Sequence, residues 1–515
     1  MPVLTGIDVL GVQRYVFASK RLRDAVAASW LVHWATAADG ALAESGGDVL
    51  LASGGNAILR FLDEARARDF VARYTRRLYD EAPGLEVVVA HQIHDIDGIA
   101  SALERLQVDL ARAKLERVPS VPQLGISVTA PCRVTALPAT GFDPQDPTIP
   151  LSRMVLRWRE HEVRERATNR WDTFLHGDER FAFPPEIDDM GRTRGDTSLV
   201  GVVHIDGNGI GEKITTWLRR CVEDSRPDDT VLEQLRAWSA ALDGVGHRSL
   251  ASVAQRVTRA INADGRIKTA LCPTSGFELR RSGSQILLPL RPVLLGGDDL
   301  TFLCDGRIAL DLAETALDAF SGDIPNLDRV TACAGVALVP AHTPFDRAYD
   351  LAEALCESAK RHRREKNDGG GWIDWHIGAP RPGEGIGDLR ARTYAHPVAA
   401  TSLHLTCRPY RLGASADERE TWRWLSRTVL GTTADGFRGE RWRQHRNKLK
   451  ELASVVREGA DGVRRAREAW TAAATLAWPG SLDQTAGFLD GVRTPLLDAI
   501  ELLDIHLPLG EEAAS

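Results

Sequence analysis

No stretch of this chain stays apolar for the ~18 residues that a membrane span requires. The opening residues, MPVLTGIDVLGVQRYVF, carry Asp8 and lack both a basic start and a small-residue cleavage site, so they do not read as a secretion signal. The seven cysteines (Cys132, Cys221, Cys272, Cys304, Cys333, Cys356 and Cys407) include no Cys-x-x-Cys pair. That excludes a zinc ribbon and a disulfide framework, and leaves reduced thiols in a cytoplasmic protein without membrane contact as the expectation. Basic charge is not in excess either. The formal net charge is −7, so contact with nucleic acid would need a local basic patch. Composition is otherwise ordinary for a globular protein, 43% hydrophobic and 26% charged over 515 residues. Such a length suits about two to four domains.

What is present is concentrated in Arg291–Gly306, RPVLLGGDDLTFLCDG. Apolar runs Val293–Leu295 and Leu300–Leu303 flank Gly296-Gly297-Asp298-Asp299, which predicts a β-hairpin with glycines in its tight turn. A lone acidic turn would be merely solvated. A partner stretch lies upstream, LVGVVHIDGNGIGEKI over Leu199–Ile214. Its apolar strand Val202–Ile205 ends at Asp206, and Gly207-Asn208-Gly209-Ile210-Gly211 leads into a helix. Asp206 alone would serve as a helix N-cap. Beside the hairpin, Asp206, Asp298 and Asp299 form a set of hard oxygen ligands suited to two Mg²⁺ or Mn²⁺ ions. Backbone N–H groups at the helix start suit phosphate, so Gly207, Asn208, Gly209 and Gly211, with Gly296 and Gly297, are candidate nucleotide-binding positions.

The order of elements occurs twice. Leu4–Asp8, the turn in DVLLASGGNAILRF (Asp48–Phe61), a helix, a strand and a helix ending near Ala113-Lys114 run parallel to Val202–Gly211, Val293–Leu303, a helix, a strand and a helix with Ala359-Lys360. This predicts an α+β protein with two ferredoxin-like βαββαβ palm domains packed face to face, followed by an α-helical C-terminal domain. The expected bounds are 1–121 for a first palm, 122–198 for a proline-rich connector with a charged helix at Arg153–Trp171, 199–380 for the second palm with an insertion at about 223–290, and 388–515 for the helical region. The first turn, Ser53-Gly54-Gly55-Asn56, has no carboxylate. Asp8 is then left without partners, and the first palm is expected to be non-catalytic.

In Phe345–Lys366, apolar residues from Ala348 to Ala359 follow the spacing of a buried helical face. Lys360 falls just past that stripe, where a cation would hold a triphosphate. Arg438–Lys450, RGERWRQHRNKLK, is basic with Trp442 interleaved. It reads as a phosphate and base-stacking patch or as a solvated helix face.

Four segments resemble the large two-palm polymerase/cyclase subunit of type III CRISPR effector complexes: GVQRYVFASKRLRDAVAASWLV, HIDGNGIG, LLGGDDLTFL, and AEALCESAK with the later LTCRPYRL. The resemblance implies ATP as substrate, cyclic oligoadenylate as product, a divalent metal, a role in antiviral defence, and guide or target RNA and other effector subunits as partners. Many members carry an N-terminal HD nuclease domain; here the first palm starts at the N-terminus, so no DNA cleavage is expected. A zinc site between the palms is not expected from Cys132 alone. The competing readings are a non-catalytic RNA-binding scaffold of an effector complex and a diguanylate-cyclase-like enzyme. Asn208, Asp299 in place of Glu, and the duplicated palm speak against the second.

Overall fold

In the computed structural model, all residues are described except 95–97, 119–127, 191–198, 272–275, 399–400, 471–477, 480–481, 483–485 and 511–515. Cys272 and the expected boundaries at 121/122 and 198 lie outside the described residues.

Two sheets with the same antiparallel four-strand core carry the architecture. In the first, β1 (Val3–Leu10) lies between β3 (Asn56–Phe61) and β4 (Glu86–Ile93), with β2 (Asp48–Ser53) outside β3. Helices α1 (Leu22–Thr36), α2 (Glu64–Glu81) and α3 (Gly98–Glu116) complete the unit. In the second, β5 (Leu199–Gly207) lies between β7 (Asp299–Asp305) and β8 (Ala332–Pro340), with β6 (Leu290–Gly296) outside β7. Its helices are α4 (Ile210–Glu223), α5 (Asp228–Arg259), α6 (Ala309–Phe320) and α7 (Phe345–Glu365). This is the βαββαβ unit, present twice as expected.

Local sequence explains the elements. In α2, the Asp63 carboxylate accepts from the Arg66 N–H at 2.9 Å, and Ala67, Phe70, Tyr74 and Leu78 fall on one buried face. Strands β5 and β8 are buried along nearly their whole length because helices cover them, so they read as continuous apolar runs rather than alternating ones. Strand β9 (Trp372–Ile377) adds in parallel to β8, and Tyr410–Arg411 pairs with β9.

Three expectations need correction. The residue pattern within 223–290 predicts a helix at Val231–Leu242 and a separate segment at Ala251–Ile261. The stretch holds one continuous helix, α5. Gly246 in mid-helix does not break it. A Cβ there would lie 2.5 Å from the Gly297 carbonyl oxygen, so the glycine permits close packing against the hairpin. Helix α5 also reaches the first palm, where Arg236 pairs with Asp48 at 2.8 Å and Asp228 with His94 at 2.7 Å. It is a brace between the palms.

The charge pattern of Arg153–Trp171 predicts one helix with a solvated face. The stretch forms two helices, Arg153–Arg159 and His161–Asp172, and both pack inward. Trp158 and Trp171 are fully buried, and Arg159 is buried against Asp24 and Asp143.

The basic stretch near Trp442 offers no aromatic to a base. Trp442 is fully buried, edge-on to Phe437 at 5.1 Å and to Trp478 at 6.3 Å. Arg438 donates inward to carbonyls of the last helix, while Arg441 and Arg446 pair with Asp435 and Asp504 at 2.7 Å each. The C-terminal region holds the helices Arg446–Val455, Gly459–Ala469 and Leu496–Leu502 separated by irregular segments, and it includes an Ala395–Val398/Thr401–His404 strand pair. No described helix is long and apolar enough to cross a membrane.

Candidate active site

The hairpin forms as read, with Gly296 opposite Asp299 and a two-residue turn at Gly297-Asp298. Gly297 has φ +63°, the left-handed region that favours glycine at the first turn position. In the first palm, Ser53 faces Asn56, and both Gly54 (φ +61°) and Gly55 (φ +87°) take positive φ. That turn demands two glycines. The second palm's turn demands one, which frees the second position for Asp298.

Sheet register builds the carboxylate pair. Asp299 lies directly opposite Asp206 on β5, so both side chains leave the same face of the sheet. Asp298 joins from the turn: its carbonyl accepts the Gly207 N–H at 3.1 Å. A Cβ on Gly207 would lie 2.9 Å from the Asp298 Cβ, so the glycine here is required by the approach of the hairpin. Burial raises the pKa of Asp298, and the charge of Asp206 adds to it. Burial raises Asp299 further, helped by Asp206, Asp298 and Glu353.

Lys360 closes one side. Its Nζ lies 2.6 Å from Asp206 Oδ2 and donates to the Gly207 carbonyl at 2.8 Å. Burial works against its charge, but Asp206 outweighs it and the pKa is raised. His204, buried behind the pair, bonds Thr301 Oγ1 at 3.0 Å and stands 3.4 Å from Asp299 Oδ1. Burial lowers its pKa to about 4, so the ring is neutral at physiological pH. The Tyr349 ring covers His204 edge-on at 5.4 Å and stacks on Phe17 of the first palm at 4.7 Å.

Among the described residues, no group of three or more His, Cys, Asp or Glu side chains already stands arranged around a metal position. The donor chemistry nonetheless fits a hard cation. Asp299 Oδ1 is enclosed and has no hydrogen-bond partner, while the side chain as a whole keeps 40% of its surface. An enclosed carboxylate oxygen with no donor is an unfavourable arrangement that a divalent ion would relieve.

The other expected positions divide. Gly209 (φ +65°) caps α4 and, with Lys213, Trp217, Arg329 and Arg363, lines a cavity of about 500 Å³ beside the loop. Gly211 lies inside α4 with no atom within 4 Å of where a Cβ would stand. Asn208 borders the cavity, but its amide is committed inward. Nδ2 donates to Thr331 Oγ1 at 3.0 Å, and Oδ1 accepts from the Cys333 thiol at 3.2 Å. A structural tie explains that asparagine. Gly296 and Gly297 face the first palm: a Cβ on Gly296 would lie 2.5 Å from the Gly54 Cα, and one on Gly297 would lie 3.3 Å from Ser53 Oγ. The two hairpin tips thus touch.

Asp8 is not without partners. Lys114 forms an ion pair with it, and Asn56, with its amide nitrogen turned inward, donates to both carboxylate oxygens at 3.2 Å. Sequence reasoning missed Lys213, Arg329, Arg363 and Glu353. Two of these had a signal in helical spacing: Glu353 precedes Lys360 by two turns on one face of α7, and Arg363 follows it by one.

A sheet that begins β6-β7-β5-β8, with carboxylates on its central strand and hairpin, is the sheet of a palm domain. Residues 199–368 match the family model described as Cas10/Cmr2, second palm domain. Solved structures share the fold of nearly the whole chain. A Csm1–Csm4 cassette in complex with one ATP matches with TM-score 0.55 at 12% identity, over 98% of this chain and 70% of that one. A cassette in complex with cA4 matches with TM-score 0.51 at 14% identity, over 98% and 70%. Csm1 of T. onnurineus matches with TM-score 0.51 at 13% identity, over 98% and 69%. No curated protein sequence matches. Family model and fold agree with the resemblance read from the sequence.

Proposed function

We propose that the protein is an ATP-dependent nucleotidyltransferase that makes a cyclic oligoadenylate in a type III CRISPR-like antiviral effector. The observation that carries this is the opposed pair Asp206–Asp299, with its enclosed oxygen lacking a donor, in a palm of the Cas10/Cmr2 type. Similar folds have been solved in complex with ATP, pppApA and cA4. The Csm4 partner in those structures supports a second effector subunit as a partner here. Guide or target RNA remains part of the proposal.

Asp206 and Asp299, with Asp298 beside them, would hold Mg²⁺ or Mn²⁺, which supplies charge stabilisation at the α-phosphate and lowers the pKa of an attacking 3′-hydroxyl. The chain's own groups supply the rest. The start of α4 at Gly209 offers backbone N–H groups to a triphosphate. Lys213, Arg329 and Arg363 give the adjacent cavity its positive lining. Lys360 stands between that loop and the carboxylates. The touching hairpin tips keep the carboxylate turn in place.

The test is incubation of the full chain with each of the four nucleoside triphosphates and Mg²⁺ or Mn²⁺, followed by chromatography of the products. Cyclic adenylate products that vanish in the Asp298→Ala/Asp299→Ala double variant support the proposal. Nucleotide binding without turnover under every condition, including added RNA, would favour the scaffold reading.

A further inference from the structure

The sequence suggests a triphosphate partner for Lys360, yet its ammonium sits on a carboxylate. We infer that Lys360 is the internal counter-ion of this site: it keeps Asp206 closed to a divalent ion until a triphosphate draws the ammonium away, so that metal and nucleotide load together. This rests on the metal-binding reading of Asp206 and Asp299 given above.

Three observations carry it. First, Nζ is anchored twice, on Asp206 Oδ2 at 2.6 Å and on the Gly207 carbonyl at 2.8 Å, and the side chain is only 13% exposed. The ammonium therefore occupies coordination space of the carboxylate that a metal would need. A lysine is a compact charge on a flexible stem, so it can leave without any backbone movement. Its second anchor, Gly207, belongs to the loop that leads to the start of α4, where phosphate oxygens would be received.

Second, the first palm contains the same device with the metal chemistry removed. Lys114, on the helix equivalent to α7, pairs with Asp8, the equivalent of Asp206. The position opposite Asp8 is the neutral Asn56, which also donates to it. One carboxylate, one ammonium and one amide make a closed set. Lysine–carboxylate pairing is thus the resting arrangement that this fold adopts on its own.

Third, the second palm is not closed in that way. Lys360 pairs with Asp206, while Asp299 stands opposite Asp206 with Asp298 beside it in the turn, and Asp299 Oδ1 keeps no hydrogen-bond partner. Negative charge in excess of Lys360 draws cations in, while Lys360 raises the threshold at Asp206. A free metal ion competes with the ammonium; a metal-bound triphosphate removes the competitor by binding it. Repulsion between Asp206 and Asp299 makes the carboxylates good ligands, and Lys360 keeps that repulsion tolerable before loading.

The experiment measures Mn²⁺ binding to the full chain by the loss of the free-ion electron paramagnetic resonance signal, without nucleotide. Lys360→Met and Lys360→Gln should bind Mn²⁺ about tenfold more tightly than wild type, a gain of about 1.4 kcal/mol. Lys360→Arg should keep the wild-type affinity, and Lys114→Met should leave it unchanged. Adding Asp206→Asn to Lys360→Met should cancel the gain. A non-hydrolysable ATP analogue should tighten Mn²⁺ binding in wild type more than in Lys360→Met. Equal or weaker binding by both neutral Lys360 variants, with Asp206→Asn still weakening it, overturns the counter-ion role and leaves the metal assignment standing. Unchanged Mn²⁺ binding in Asp206→Asn and in Asp299→Asn overturns the metal assignment itself, and the counter-ion role with it.

Discussion

Asp206 and Asp299 stand directly opposite each other on neighbouring antiparallel strands, at the position where the first palm has Asp8 facing Asn56. Like charges placed directly opposite are destabilising in a sheet. The fold therefore works against two facing carboxylates at this pair, and the cost is measurable. Burial first, then neighbouring carboxylates, raise the Asp299 pKa in the folded protein. The folded state then holds that proton more tightly than the unfolded chain. The contribution to stability is intact below the ordinary carboxylate value of about 3.9 and is lost as pH rises through the raised value. Asp299→Asn should therefore raise the apparent Tm of the metal-free protein at pH 8 and change it much less at pH 4, while turnover disappears. Calorimetry in chelator at the two pH values checks this; equal Tm values at pH 8 would show that the fold does not resist the charge.

Asp206→Asn isolates the other half of the pair. The cap of α4 is Gly209, so Asp206→Asn removes a carboxylate and no helix cap. Loss of nearly all turnover is expected. Lys360 keeps only the Gly207 carbonyl, and the half-exposed ion pair is worth about 1 kcal/mol or less. Product chromatography together with a small drop in denaturant midpoint checks both parts.

The contact of the hairpin tips predicts a contrast between two glycines. Gly296→Ala places a Cβ 2.5 Å from the Gly54 Cα, so the tips must separate. Overpacking of this kind costs about 1–3 kcal/mol, and turnover should fall because the shift moves Asp298 and Asp299. Gly211→Ala meets no atom within 4 Å inside α4, and Ala in place of Gly favours a helix by up to about 1 kcal/mol. A stability gain with reduced ATP affinity would show that phosphate approaches at Gly211; a gain with unchanged affinity would confine phosphate to the start of the loop.

Asn208 and Trp442 should behave as structural residues. Asn208→Ala removes the bonds to Thr331, whose hydroxyl keeps the Gly369 carbonyl, and to the Cys333 thiol, and should cost about 1–3 kcal/mol. Trp442→Ala should cost about 3–5 kcal/mol, with RNA affinity per folded molecule unchanged. Selective loss of RNA binding in a stably folded Trp442→Ala variant would restore the stacking role.

The chain's order of apolar runs, glycine turns and helical stripes was enough to determine the duplicated palm, the hairpin, and Asp206, Asp298, Asp299 and Lys360 as a group. These signals are local: period-2 and period-3.6 patterning and turn chemistry act within about ten residues. Tertiary structure alone decided what each residue touches. Two helices 246 residues apart in their lysines, at Lys114 and Lys360, present the same ion pair in both palms, and no local pattern states that an ammonium will settle on a carboxylate rather than await a phosphate. Gly246 against Gly297, Gly54 against Gly296, and the inward commitment of Asn208 and Trp442 are contacts between distant segments. Sequence spacing sets which face of an element a residue occupies, and packing against another element sets whether that face meets solvent, a neighbour or a ligand.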